Sequence, residues 1–262
     1  MKIRCQITFL IGDDGLVLWK LNRLKVLVSY FRSVVTFRNI TARSGCSTDR
    51  VLEMMSLRGK PNQLCQLWID GLDAELACMV LTDFISEHFY MVEASQRSRH
   101  QLSELRHPAL TLPFDFDYRY IFYADMETRD KGGLLAYLSR VFQFSDRKAM
   151  AIFRALDERE AISSTYIHHG IAFPHVMSHL VEIPSLAVVR LSHPVDWQSV
   201  RGAVDLVIAL FLPASPDMDM IRAVTWLSRS LLDDSFCQAL LRTKEAGALQ
   251  AILYHTLASE LS

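Results

Sequence analysis

The sequence lacks most of the signatures that assign a chemistry at once. Its five cysteines, Cys5, Cys46, Cys65, Cys78 and Cys237, are an odd number, widely scattered, with no CxxC pair. That pattern argues against a disulfide framework or a thiolate zinc site, and predicts buried thiols in a reducing cytoplasm. There is no GxxxxGK[ST] loop to hold a nucleotide and no GxSxG elbow to present a nucleophilic serine. The longest strongly apolar run, Leu206 to Ala214, is less than half of the ~20 residues a membrane helix needs. No secretory signal is visible at the start, where a short apolar stretch is interrupted by Gln6 and Asp13-Asp14. An excess of charge is missing too: the formal net charge is -1, which gives no global attraction to nucleic acid or anionic lipid. These absences predict a cytoplasmic protein with no nucleic-acid partner and no direct membrane insertion.

What is present is a large apolar fraction. Half of the 262 residues are hydrophobic and 22% are charged, enough for one large core or two ordinary ones. The composition changes between about Met91 and Tyr118, where Ser95 to His100 is polar, Pro108 and Pro113 follow, and Asp115 and Asp117 alternate with aromatics. We therefore divide the chain into a domain over 1–92, a linker over 93–117 and a second domain over 118–262.

The first domain alternates strand and helix patterns. Ile3 to Ile11, Val34 to Ile40 and Leu64 to Ile69 are rich in strand formers. Leu21, Leu24, Val28 and Phe31 recur at helical spacing, as do Leu72, Leu76, Val80 and Phe84, and Val51 to Leu57 makes a short helix. The order predicts helices on one face of a sheet, with room for an extra hairpin strand. Gly15-Leu16 precedes the first helix, and Ile69-Asp70-Gly71-Leu72-Asp73-Ala74-Glu75-Leu76-Ala77 opens the last. On these residues the domain resembles HPr, the small phosphocarrier of the bacterial sugar phosphotransferase system, which implies an open-faced β-sandwich. The family's phosphate-accepting Gly-Leu-His-Ala-Arg-Pro reads Gly15-Leu16-Val17-Leu18-Trp19-Lys20 here, and the regulatory serine's place falls on Arg50. Valine has no nucleophile. The resemblance therefore implies a scaffold, docking or regulatory role for this half.

The second domain is helix-rich. Leu135, Leu138 and Phe142 mark one helix; Ser145 caps the next, with Ala149, Ile152, Phe153 and Leu156 along its face. Ser185 to Leu191 and Val204 to Leu212 read as strands, and two further helices carry Ile221 to Leu231 and Leu249 to Leu257. Within this half, Gly170-Ile171-Ala172-Phe173-Pro174-His175 sets a histidine at the end of a constrained turn. Glycine permits a backbone angle that other residues resist, and proline fixes the angle just ahead of the histidine. Such a turn suits a reactive imidazole.

Three blocks, in order and at matching spacing, give the second half a family likeness: Arg159-Glu160 with Ser164-Thr165, the Gly170 to His175 hexapeptide, and Val204 to Ala214 leading into the next helix. It resembles the enzyme IIA domain of the fructose–mannitol class, including its nitrogen-regulatory branch. The resemblance implies an α/β (α+β) fold with a mixed sheet flanked by helices. It implies that His175 is phosphorylated and that Arg159 is the cation beside it. It also implies phosphoryl transfer from an HPr-type phosphocarrier, charged by enzyme I, to IIB/IIC permease components for a fructose-like or hexitol sugar, with no cofactor in this chain. The alternative is a regulatory protein whose His175 phosphorylation state controls partner binding. Backbone amides after Gly170 are expected to add an oxyanion cradle. A second histidine that many such domains carry is replaced by Met220, with Arg222 close by.

His168, His169, His175 and His179 lie within twelve residues, yet their spacing matches no standard ligand pattern and brings no carboxylate or cysteine partner nearby. We expect no metal. Ser163-Ser164 has no triad context and is read as loop structure, and Asp196-Trp197 as a packed strand end.

Overall fold

The computed structural model describes residues 3–57, 59–95, 107–123, 130–142 and 145–261. It is a mixed α/β chain of two compact units, Met1–Thr111 with Arg242–Glu260, and Leu112–Leu241. Residues 96–106 of the expected linker lie outside the described residues.

The first unit is built on a five-stranded antiparallel sheet in the order β3-β2-β4-β1-β5. Its strands are β1 (Ile3–Leu10), β2 (Val34–Asn39), β3 (Ser44–Ser47), β4 (Leu64–Gly71) and β5 (Tyr90–Ala94). The alternation expected of a strand puts Cys5, Ile7 and Phe9 of β1 and Cys65, Leu67 and Ile69 of β4 into one core, together with Leu21 and Leu24 of α1 (Leu18–Val28). The short helix α2 (Val51–Ser56) adds Met54. The longer α3 (Ala74–His88) contributes Ala77, Cys78, Leu81, Phe84 and Ile85. Leu72 and Leu76 are exposed, so the buried face of α3 is turned away from the one their spacing with Val80 implies.

The other face of that sheet is not open. Gln6, Thr8 and Leu10 of β1 and Leu64 and Gln66 of β4 alternate with the core residues, and all five are buried. The segment Arg242–Glu260, with helix α8 (Ala246–Ala258), belongs to this unit and not to the 118–262 stretch in which its sequence position puts it. Gln66 donates to Thr8 Oγ1 at 3.1 Å and Thr243 Oγ1 at 3.0 Å, which satisfies a buried amide. Arg242 pairs with Asp70 at 2.6 Å and lies over the Trp68 ring, and His255 Nε2 donates to the Asn62 carbonyl at 2.9 Å. Helices thus serve both faces of the sheet, not the single face expected.

The second unit holds a mixed five-stranded sheet in the order β6-β9-β10-β7, with β8 also pairing β10. β6 (Asp117–Tyr123) runs parallel to β9 (Ser185–Asp196), β9 antiparallel to β10 (Ala203–Pro213), and β10 parallel to β7 (Ile171–Ala172) and β8 (His175–Ser178). The central β9 and β10 are nearly continuous apolar runs, as strands covered on both faces must be. Helices α4 (Lys131–Leu138) and α5 (Asp146–Ile162) pack Leu134, Leu135, Leu138, Ile152 and Leu156 against the same cluster as Val189, Val207 and Phe211. Trp197 is fully buried there at the end of β9. Helices α6 (Met218–Ser230) and α7 (Asp234–Arg242) complete the elements. Among the described residues no helix is long and apolar enough to cross a membrane.

Candidate functional site

Helix α5 starts where Ser145 caps it, its hydroxyl accepting from the Lys148 amide, and ends on the turn that carries Arg159 and Glu160. Adjacent helical residues point about 100° apart, so the two side chains do different work. Glu160 points inward and is buried. Its carboxylate accepts from the amide and hydroxyl of Thr165 and lies 3.8 Å from Lys131 Nζ. A buried carboxylate needs such partners. Thr165 passes the order on: its hydroxyl also accepts from Trp197 Nε1, and its carbonyl accepts the Phe173 amide at 2.9 Å. The loop before the histidine is thereby fixed to the end of α5.

Gly170 is held just as closely. Its φ is +78°, and a Cβ there would meet Asp205 Oδ2 at 2.7 Å, so neither the angle nor the space admits a side chain. Its carbonyl accepts the amides of Asp205 and Leu206 at the edge of β10. The ladder then runs through Ile171 and Ala172, breaks, and resumes with His175 opposite Leu210. The break falls on Phe173-Pro174, because proline has no amide to donate.

His175 and Arg159 are brought together. The His175 Nδ1 faces the Phe173 carbonyl at 3.0 Å, and Nε2 receives the Arg159 Nε–H at 3.2 Å. A carbonyl cannot donate, so Nδ1 carries the ring's proton; a guanidinium cannot accept, so Nε2 presents its lone pair. Two independent partners select the same neutral tautomer. Arg159 Nη1 is held at 3.1 Å by both the carbonyl and hydroxyl of Ser163, which fixes the plane of the fork. The imidazole is half-buried. Met177, exposed two residues along β8, and Ile162, exposed one turn beyond Arg159, give the pair an apolar rim.

Other expectations need correction. The amides of Gly170, Ile171 and Phe173 are committed to the Tyr166 hydroxyl and the His168 and Thr165 carbonyls, so these three add nothing to the expected oxyanion cradle. Met220 is buried in the first turn of α6, and Arg222 pairs with Asp219 on the same helix at 3.6 Å. None of the five cysteines forms a disulfide, but Cys46 is only half-buried. Burial pushes the Cys237 thiol up to about 12, where it is no nucleophile. His168 and His169 do have a carboxylate partner, Asp234, which sequence spacing hides because it lies on α7. Ser163, read from sequence as loop structure, holds Arg159 instead, and the Phe173 carbonyl was not singled out, since a backbone oxygen leaves no mark in the residue type.

Residues 116–256, more than half of the chain, match the family described as "Phosphoenolpyruvate-dependent sugar phosphotransferase system, EIIA 2". The chain belongs to the EIIA 2 family. It is 36% identical over 96 residues to a multiphosphoryl transfer protein of Shigella flexneri, covering 37% of this chain and 12% of that protein. It is 27% identical over 124 residues to a nitrogen regulatory protein of Bradyrhizobium diazoefficiens, covering 47% of this chain and 81% of that protein. A fructose-specific EIIA component of Haloferax volcanii is 28% identical over 104 residues, 39% of this chain and 68% of that protein. Among solved structures, the nitrogen regulatory protein IIA-Ntr of Neisseria meningitidis aligns with a TM-score of 0.43 at 23% identity, covering 50% of this chain and 91% of that one. The chain thus spans only about an eighth of the multiphosphoryl transfer protein that it matches. The family's description is of phosphoryl transfer in a sugar phosphotransferase system.

Proposed function

We propose that this chain is a cytoplasmic phosphoryl carrier that accepts phosphate on Nε2 of His175 from an HPr-type carrier and donates it to a IIB component. The observation that carries this reading is the double restraint on one imidazole, Nδ1–H on the Phe173 carbonyl and Nε2 against Arg159. The Nε2 lone pair attacks phosphorus as the bond to the donor's nitrogen breaks, and the donor ring leaves with that electron pair. No proton has to move, because the His175 proton stays on Nδ1. The carbonyl stabilises the positive charge that the ring acquires once Nε2 is bonded to phosphorus. Arg159 is then placed to turn from the nitrogen to the phosphoryl oxygens, as phosphoryl transfer asks mainly for positioning and charge stabilisation. Reversal delivers the group onward, and the sugar served is fructose-like or a hexitol. The apolar rim of Met177 and Ile162 supports docking of protein donors and acceptors.

A carrier that needs no proton shuttle also tolerates Met220 where a second histidine is common. The first unit then serves docking or regulation. Val17, at the place of HPr's acceptor histidine, caps α1 and offers no nucleophile, while Lys20 is buried and paired with Asp14 at 2.7 Å. That buried Met220 and the likeness to a nitrogen regulatory protein favour a second reading, in which phosphate on His175 controls binding to a partner. A dianion on a rim of this kind changes association strongly.

The test is labelling with phosphoenolpyruvate, enzyme I and a working HPr. Acid-labile label should appear on the parent chain and be absent from His175→Ala; equal labelling of the two sinks the proposal. Rapid loss of label to a IIB domain supports transport, and stable label with altered partner binding supports regulation.

A further inference from the structure

Outside the His175 pair, the second unit gathers a cluster of metal-ligand type that the proposed transfer does not use. One ligand atom each from His168, His169 and Asp234 lies within 4.8 Å of the others. The two histidines stand in the turn that precedes Gly170, and Asp234 is the first residue of α7. We infer that His168 Nδ1, His169 Nε2 and the Asp234 carboxylate form a site for a divalent transition metal of the Zn2+ type.

The partners of the ring nitrogens fix where the protons can be. His168 Nε2 faces the Leu231 carbonyl at 3.0 Å, so that nitrogen must donate. In the neutral ring this leaves Nδ1 bare, and Nδ1 faces Asp234 Oδ1 at 3.3 Å. The bare Nδ1 and the carboxylate oxygen then face each other as two acceptors. The same oxygen lies 2.9 Å from His169 Nε2, which can donate to it, but His168 has no second proton to give while neutral. A cation held by the three atoms turns this conflict into coordination. The two histidine-to-carboxylate separations, 3.3 and 2.9 Å, lie near the ~3.3 Å between ligands of a tetrahedral zinc, and all three ligand atoms fall within 4.8 Å of one another, so small side-chain shifts close the shell. The Leu231 carbonyl then acts as the outer partner that metal-bound imidazoles usually have, fixing the tautomer and the ring plane. Two imidazoles and a carboxylate favour zinc, cobalt or nickel over the oxygen-seeking Mg2+ and Ca2+. All three side chains reach solvent, so the ion has a direct path and the remaining coordination positions are left to water. Loading would clamp the turn before β7 to the start of α7.

The test is direct. The full-length chain, stripped with a chelator and kept reduced, is titrated with Zn2+ against a chromophoric competitor, and separately with Co2+ while visible absorption is followed. We expect one saturable Zn2+ per chain and the intense bands of low-coordinate Co2+. Binding should weaken at least roughly tenfold in His168→Gln and in Asp234→Asn, and be unchanged in His179→Gln and Cys46→Ser. Zn2+ should raise the melting midpoint of the parent and leave that of Asp234→Asn in place, because only a ligand bound to the native state stabilises it. Melts in chelator show whether each variant is folded. Absence of saturable binding by the parent overturns the inference, as does undiminished binding by the folded double variant His168→Gln, Asp234→Asn.

Discussion

A single backbone carbonyl settles which nitrogen of His175 is free. With the Phe173 oxygen on Nδ1 at 3.0 Å, the ring adopts the Nδ1–H form and aims its lone pair from Nε2. Nitrogen NMR of the parent chain at a pH where the ring is neutral should therefore find Nδ1 protonated and Nε2 bare. The reverse assignment would remove the proposed nucleophile. Arg159 uses Nε toward the ring and Nη1 toward Ser163, so it depends on the planar fork and not on charge alone. Lysine keeps the charge and loses the fork. Arg159→Lys should slow labelling of His175 roughly tenfold to hundredfold, since a charged hydrogen bond contributes about 1.5–3 kcal/mol and 1.36 kcal/mol is a factor of ten. Labelling at the parent's rate would show that charge suffices. Both residues were legible in the sequence: a histidine behind Gly and Pro, and an arginine in a matching block. Their fixing partners were not, because a carbonyl and a common serine carry no signal by residue type.

Elements divide the same way. The long helices and strands follow from apolar spacing over ten or more residues, whereas β7 and β8, of two and four residues, are too short to show a period. Helix α7 does carry an apolar face, Phe236, Cys237 and Leu240, but it was passed over, and with it Asp234. The buried face of α3 was misjudged because Leu72 and Leu76 look like core by type, while the smaller Ala77 and Cys78 fill it. Helix α8 carries an element-scale prediction. Burial pushes the His255 imidazole below its ordinary range; the hydrogen bond to Asn62 opposes that shift and the nearby His107 adds to it. Burial lowers His107 as well, with Asp13 opposing. The folded form binds these protons less readily than the unfolded chain does. The neutral rings thus contribute full stability above the ordinary imidazole value of ~6.5, and that contribution is lost as pH falls through it toward the folded values. Urea unfolding between pH 7.5 and 5.5 should show the decline. His255→Gln, which keeps a donor for Asn62, should flatten it by up to about 1.4 kcal/mol per pH unit. An unchanged slope would place the titration elsewhere.

At the scale of the whole molecule, the less legible feature is which segment covers which sheet. Gln6, Thr8 and Gln66 alternate with Ile7, Phe9 and Leu67 as polar residues do on a solvent face, and local pattern assigns them to water. They are buried because a segment from the other end of the chain, Arg242–Glu260, belongs to the same compact unit; it brings Thr243 as a partner for Gln66 and Arg242 as one for the neighbouring Asp70. Pattern reading cannot see a contact separated by 177 residues. The apolar side of that cover is Leu249, Ile252, Leu253 and Leu257, each fully buried. Truncating one leaves a cavity, and Leu253→Ala should cost about 2–5 kcal/mol. Leu72→Ala, at a site 77% exposed in the same unit, should change stability by less than about 0.5 kcal/mol. Because His175 lies in the other unit, labelling of Leu253→Ala under native conditions should match the parent while its unfolding midpoint drops. A Leu253→Ala chain as stable as Leu72→Ala would mean that the terminal helix does not close the first sheet.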